Sequence, residues 1–165
     1  MGSDKLIPDL IGHYDERVAE RKKEIFKRSY LGQLAPTPGA RDLVAALGAR
    51  GAKLAVASSA GADELDALLD AAGVGDLLRT TTSADDAARS KPDPDILAAA
   101  LKKLGLPAAK CVLVGDSPYD AQAARSAGIA FVGVRCGGWA DGDLQPAAGI
   151  VHDPADLLRR LDHMM

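Results

Sequence analysis

The sequence predicts an α/β fold: a three-layer arrangement of parallel strands with helices on both faces. Three observations predict it. Short apolar, β-branched runs such as Cys111-Val-Leu-Val114 alternate with amphipathic helical stretches. Glycine follows four of those helical stretches, at Gly51, Gly73, Gly105 and Gly128. Polar residues follow the strands, where ligands bind in open parallel sheets. Strands that alternate with helices form βαβ units, whose crossovers are right-handed.

Residues 1–36 differ in texture from the rest. From His13 to Tyr30 the chain is highly charged, and Val18, Ile25, Phe26 and Tyr30 are spaced for one apolar helix face. The interleaved Arg, Lys and Glu residues read as a solvated surface laced with ion pairs. Pro36-Thr-Pro38-Gly39 stops this helix and reads as a linker. Ala40–Arg50 is the next helix, with Leu43, Val44 and Leu47 on one face. Lys53–Ala57 is a strand ending in Ser58-Ser59-Ala60-Gly61. Asp63–Ala72 is a helix with Leu65, Leu68 and Leu69 inward, and Leu77–Thr82 a threonine-rich weak strand. Asp93-Pro94 opens a helix carrying Ile96, Leu97, Leu101 and Leu104, with Asp93 as its cap. The strand at 111–114 is followed by a helix over 118–127, then strands at Ala130–Val134 and Gly149–His152. Asp153-Pro154 starts a terminal helix with Leu157, Leu158 and Leu161.

The chain has 165 residues, 47% hydrophobic and 26% charged, enough for one domain with a real core. A net charge of −3 and an aromatic content of 4% argue against a nucleic-acid partner. No apolar stretch is long enough to span a membrane, and no signal peptide is visible at Met1, so a cytoplasmic location is the expectation. Cys111 and Cys136 form neither a disulfide framework nor a zinc site. Cys111 is expected to pack as a small hydrophobe, and Cys136-Gly-Gly-Trp139 to be a plain loop.

Three strand ends supply polar groups to one edge of the sheet. Ser58 and Ser59 follow the first strand, Lys91 sits in the proline-bounded Ser90-Lys-Pro-Asp-Pro94, and Asp116 and Asp120 follow the strand at 111–114. Two carboxylates there suit a hard cation such as magnesium, and a hydroxyl with an ammonium suits a phosphate. Each residue also has a plainer role open to it. Ser58 or Ser59 serves equally as a turn residue, Lys91 as a surface lysine, and Asp120 as the acid of a helix start capped by Ser117. Asp116 has no such alternative.

At these three motifs the chain resembles the haloacid dehalogenase superfamily, in its branch similar to phosphoglycolate phosphatase and β-phosphoglucomutase. The resemblance covers about residues 37–165 and implies a Rossmann-like core. Val56-Ala-Ser-Ser59 is similar to the family's second motif, Ser90–Pro94 to its third, and Gly115–Asp120 to its fourth. The likeness implies that Lys91 and Ser58 act in catalysis, that Ser58, Ser59 and Lys91 bind the phosphoryl group with help from nearby backbone amides, and that Asp116 and Asp120 hold Mg2+. The substrate it implies is a small phosphorylated metabolite, hydrolysed as a phosphomonoester. Residues 1–36 resemble part of a helical cap, and 37–165 the core.

One departure from the pattern decides the expected mechanism. Family members begin with a strand ending in Asp-x-Asp-Gly-Thr, whose first Asp attacks phosphorus. No Asp-x-Asp-Gly occurs in this chain. A whole member is expected to need roughly 40–60 more residues upstream, judged from typical element and loop lengths. In the family fold that strand lies between those that are here 53–57 and 111–114. Without it the two are expected to face each other across roughly 9–10 Å. Buried unpaired backbone groups cost about 1–3 kcal/mol each. The gap must therefore close, borrow a strand, or leave open edges through which copies associate. The expectation is a chain inactive or nearly so by itself; the alternative is a non-catalytic domain that keeps a phosphate-ligand pocket.

Overall fold

A computed structural model describes residues 1–164. In chain order the elements are α1 (Ser3–Ile11), α2 (Glu16–Ser29), α3 (Ala40–Ala49), β1 (Val56–Ala57), α4 (Ala62–Ala71), β2 (Thr81–Thr82), α5 (Asp95–Leu104), β3 (Val112–Gly115), α6 (Pro118–Ala127), β4 (Ala130–Val134), β5 (Gly149–Val151) and α7 (Pro154–Met164). Every strand pairing is parallel. β1 pairs with β2, Val56 opposite Thr81, and β4 lies between β3 and β5, with Leu113 opposite Phe131 and Gly133 opposite Ile150. The α/β class with a parallel arrangement is therefore as the sequence predicts.

The strands form two sheets, not one: β1–β2 and β3–β4–β5. β1 and β3 share no ladder, so each keeps one edge without a strand partner among the described residues. Helices hold the sheets together. Ile96 and Leu97 of α5, Ala121, Ala123 and Ala124 of α6, and Phe131 of β4 form one apolar cluster, against which Ala57 of β1 and Leu113 of β3 both pack. The alanines let α6 lie close. On the opposite face Leu43 of α3 and Leu157 and Leu161 of α7 pack on Val132, Val134 and Val151. Phe131 and Val132 thus serve different layers, as the two-residue period of a strand requires. Burying each such large side chain contributes about 1.5–3 kcal/mol. Val112 and Val114 alternate with Leu113 on β3, yet they remain 61% and 40% exposed.

Several elements are shorter than the sequence suggests. The expected strand 53–57 is ordered into a ladder only at Val56–Ala57, because the two-residue β2 is its sole partner among the described residues. The expected strand 77–82 narrows to Thr81–Thr82: the Leu77 and Leu78 amides donate to the Val74 carbonyl and close a turn instead. Asp93 does not cap α5. Pro94 occupies the cap position, and Asp93 pairs with Lys5 at 2.8 Å and with Arg89. Helix α6 matches its expected bounds: the Ser117 hydroxyl accepts from the Asp120 amide, and Gly128 ends the helix in the left-handed region.

Helix α1 falls in the segment that resembles a helical cap, but the residue pattern gives it no bounds; Pro8 lies inside it, and of its residues only Ile7 is buried. Its start is pinned to the core. The Gly2 amide donates to Ser90 Oγ (3.0 Å), and the Ser90 amide donates to Asp4 Oδ2 (3.0 Å). Helix α2 carries one surface ion pair of the expected kind, Arg21 with Glu24, while Arg17 pairs with the cap residue Asp15; the helix buries none of its residues. No helix among the described residues is long and apolar enough to cross a membrane.

Candidate functional site

The ends of β1 and β3 and the loop before α5 converge. Ser58, Ser59, Lys91, Asp116 and Asp120 all line one cavity of about 650 Å³, with Tyr14, Lys22 and Lys23 facing it from the α1–α2 side. The loop 90–93 is held by the Ser90 contacts with Gly2 and Asp4, which fixes the root of Lys91.

Lys91 is not a surface lysine. Its side chain is 14% exposed, and its ammonium donates to Asp120 Oδ1 at 2.7 Å and to the Ala57 carbonyl at 2.9 Å. One group therefore touches the last residue of β1 and the first turn of α6, across the break between the sheets. Asp120 is 6% exposed. Its other oxygen accepts from the Ser117 hydroxyl at 2.5 Å. Burial pushes the Asp120 carboxyl up, but the Lys91 charge and hydrogen bond, with the Ser117 hydrogen bond, hold it below the usual carboxylate range. The capping role open to Asp120 in the sequence is thus present together with the ion pair.

Asp116 remains open to the cavity. Partial desolvation, then the nearby Asp120 charge, push its carboxyl up. Two glycines allow this packing. A Cβ on Gly115 would lie 2.6 Å from Asp120 Cβ, and one on Gly137 would collide with the Asp116 carbonyl oxygen. The loop after β4 therefore closes directly on the Asp116 backbone. Cys136 in that loop has its thiol pushed up by burial and by the Asp116 charge, the reverse of what a nucleophilic thiol needs.

The two serines differ. Ser58 Oγ accepts from the Ala60 amide at 3.1 Å, a turn role that leaves its hydroxyl proton to donate elsewhere. Ser59 Oγ is buried and has no hydrogen-bond partner among the described residues. Such a group is costly unless something else satisfies it. Of the amides that follow, Ala60 and Ala62 are already taken, by Ser58 Oγ and Asp85. Sequence reasoning missed Ser90, buried at 6%, and the Tyr119–Trp139 contact, an edge-to-face pair 6.2 Å apart beside the cavity. Tyr119 follows Asp116 within the same motif, and Trp139 lies in the loop already noted, but nothing in their spacing announces the pairing.

The donors suit a hard divalent cation at the lower limit of number. Among the described residues no cluster of three or more His, Cys, Asp or Glu side chains forms a metal cage. Magnesium is ordinarily held by one or two carboxylates, with waters and substrate phosphate filling its octahedron. Asp116 and Asp120 meet that requirement, although Asp120 is engaged by Lys91 and Ser117.

Residues 3–134 match the haloacid dehalogenase-like hydrolase family model. The chain is 40% identical over 95 residues to a phosphoglycolate phosphatase of Rhodospirillum rubrum, an alignment that covers 58% of this chain. It spans only 39% of that relative's length. Among solved structures, a hydrolase from Pseudomonas syringae superposes with a TM-score of 0.85 at 32% identity, over 97% of this chain and 76% of that one. CbbY from Rhodobacter sphaeroides in complex with phosphate superposes with a TM-score of 0.80 at 25% identity, over 98% and 78%.

Proposed function

Because the chain belongs to the haloacid dehalogenase-like hydrolase family, we propose that its cavity is a magnesium-dependent phosphomonoester site, and that the whole protein hydrolyses a small phosphorylated metabolite. One observation carries this reading: Ser58, Ser59, Lys91, Asp116 and Asp120, drawn from three separate turns, line a single cavity. Lys91 supplies positive charge and a donor to phosphoryl oxygens. The Ser58 hydroxyl proton and the unpartnered Ser59 hydroxyl donate beside it. Asp116 and Asp120 would hold magnesium, whose charge offsets that of the phosphoryl group. The relatives named phosphoglycolate phosphatase support a small, strongly anionic substrate.

This chain by itself binds the phosphoryl group without turning it over. Covalent phosphoryl transfer in this family type needs a carboxylate nucleophile, and the chain has no Asp-x-Asp-Gly to present one. The open edges of β1 and β3 further favour association between copies. A phosphatase assay with magnesium tests the first point. The chain as given should show no turnover above background, and a version carrying an added strand that ends in Asp-x-Asp-Gly-Thr should gain it. Strong turnover by the chain alone would show that its own residues include a nucleophile.

A further inference from the structure

We propose that Lys91 and Asp120 form an exchangeable counter-ion pair, so that the cavity binds a phosphate tightly only once a divalent cation has drawn Asp120 away from Lys91. This rests on the phosphate-site reading above and concerns the order in which the site fills. As it stands, Lys91 is neutralised within the protein: its ammonium gives one hydrogen bond to Asp120 and one to the Ala57 carbonyl. Asp116 adds a second negative charge, which feels Lys91 and the Met1 ammonium but forms an ion pair with neither among the described residues. The floor of the cavity therefore sets the Asp116 and Asp120 carboxylates against Lys91 and the Met1 ammonium, a balance that leaves no net positive charge to hold an anion. Asp120 cannot serve Lys91 and a cation equally with Oδ1, and its Oδ2 is already taken by Ser117. When Asp120 turns to a cation, Lys91 keeps the Ala57 carbonyl and regains its charge for the cavity. By reciprocity, phosphate must then tighten the cation by the same factor.

Substitution separates this exchange from simple charge removal. Asp120→Asn and Asp116→Asn each delete one negative charge, but only the first releases Lys91. Calorimetric titration with inorganic phosphate, free of divalent ions, should show Asp120→Asn binding at least about tenfold tighter than the native chain, within the usual range of coupling between sites. Asp116→Asn should gain no more than about threefold. The double variant Lys91→Met/Asp120→Asn should lose what Asp120→Asn gained. Equal gains in the two single variants, or a gain that survives loss of Lys91, would overturn the exchange. A native chain that binds phosphate equally with and without magnesium would overturn it too, while leaving the site reading intact. Absence of phosphate binding under every condition would overturn both. Should Asp120→Asn fail to fold, the native chain still decides. Magnesium alone, without phosphate, should move the side-chain nitrogen resonance of Lys91, and an unmoved resonance counts against the exchange.

Discussion

Replacing Lys91 with methionine is the sharpest test of how the two sheets are joined. The substitution keeps most of the aliphatic stem and removes the ammonium that touches Ala57 and Asp120. It leaves the Asp120 carboxylate buried with the Ser117 hydroxyl, its own helix start and the more distant Met1 ammonium, none of which replaces the direct pair. Removing one partner of a buried pair costs about 3–5 kcal/mol, because the other charge stays uncompensated. The side chains here are 14% and 9% exposed, so this pair belongs with buried rather than surface ones. Against a typical stability of about 5–15 kcal/mol that loss is large.

The pH dependence has a definite sign. In the native chain Asp120 ionises below its ordinary range, so its contribution is complete above the unfolded carboxylate pKa and is lost as pH falls through the folded value. In Lys91→Met burial dominates and raises the Asp120 carboxyl, so its ionisation there costs stability as pH rises. The gap between the two proteins should be wide at neutral pH, narrow as pH falls through the raised carboxyl of the variant, and close once pH passes below the lowered carboxyl of the native chain. Urea unfolding at several pH values measures it, and Lys91→Met/Asp120→Asn should recover most of the loss. A loss under about 1 kcal/mol at neutral pH, as for exposed pairs, would refute the argument that Lys91 ties the sheets together.

Four further outcomes follow from the same geometry. Asp116→Asn should raise the thermal midpoint of the metal-free chain, because Asp116 has a raised carboxyl whose ionisation opposes folding as pH rises. The same change should weaken magnesium binding at least about tenfold, the size of effect one lost ligand gives. Gly137→Ala puts a Cβ against the Asp116 backbone and carboxylate, so it must displace one or the other and should weaken magnesium binding while leaving both proposed ligands chemically unchanged, seen by calorimetry. Light scattering over a range of concentrations should show association of copies through the edges of β1 and β3; a strictly monomeric chain would count against it.

Much of this arrangement is legible in the sequence. The bounds of α6 follow from Ser117, Pro118 and Gly128, which are local signals, and those of β4 from a run of apolar residues between glycines. The convergence of Ser58, Lys91 and Asp116 follows from topology, since parallel strands place their ends on one side. What is not legible is non-local. Asp93 satisfies every local rule for a helix cap, yet it goes to Lys5, 88 residues away in a helix that Pro8 disguises. Lys91 pairs with Asp120 because the sheets part at that point, and no spacing in the chain states that its ammonium will bridge the break. The short ladder of β1 has the same origin: Lys53–Ala57 is apolar enough for a longer strand, but a strand paired on one side alone orders only Val56 and Ala57.

Crystals grown with manganese and tungstate, heavy stand-ins for magnesium and phosphate, would test the account most directly. Anomalous maps should show the cation against Asp116 and Asp120, and the oxyanion within hydrogen-bond reach of Lys91 Nζ and the Ser58 and Ser59 hydroxyls. Tungstate bound elsewhere on the molecule, with Lys91 still closed on Asp120 in a fully loaded crystal, would contradict it.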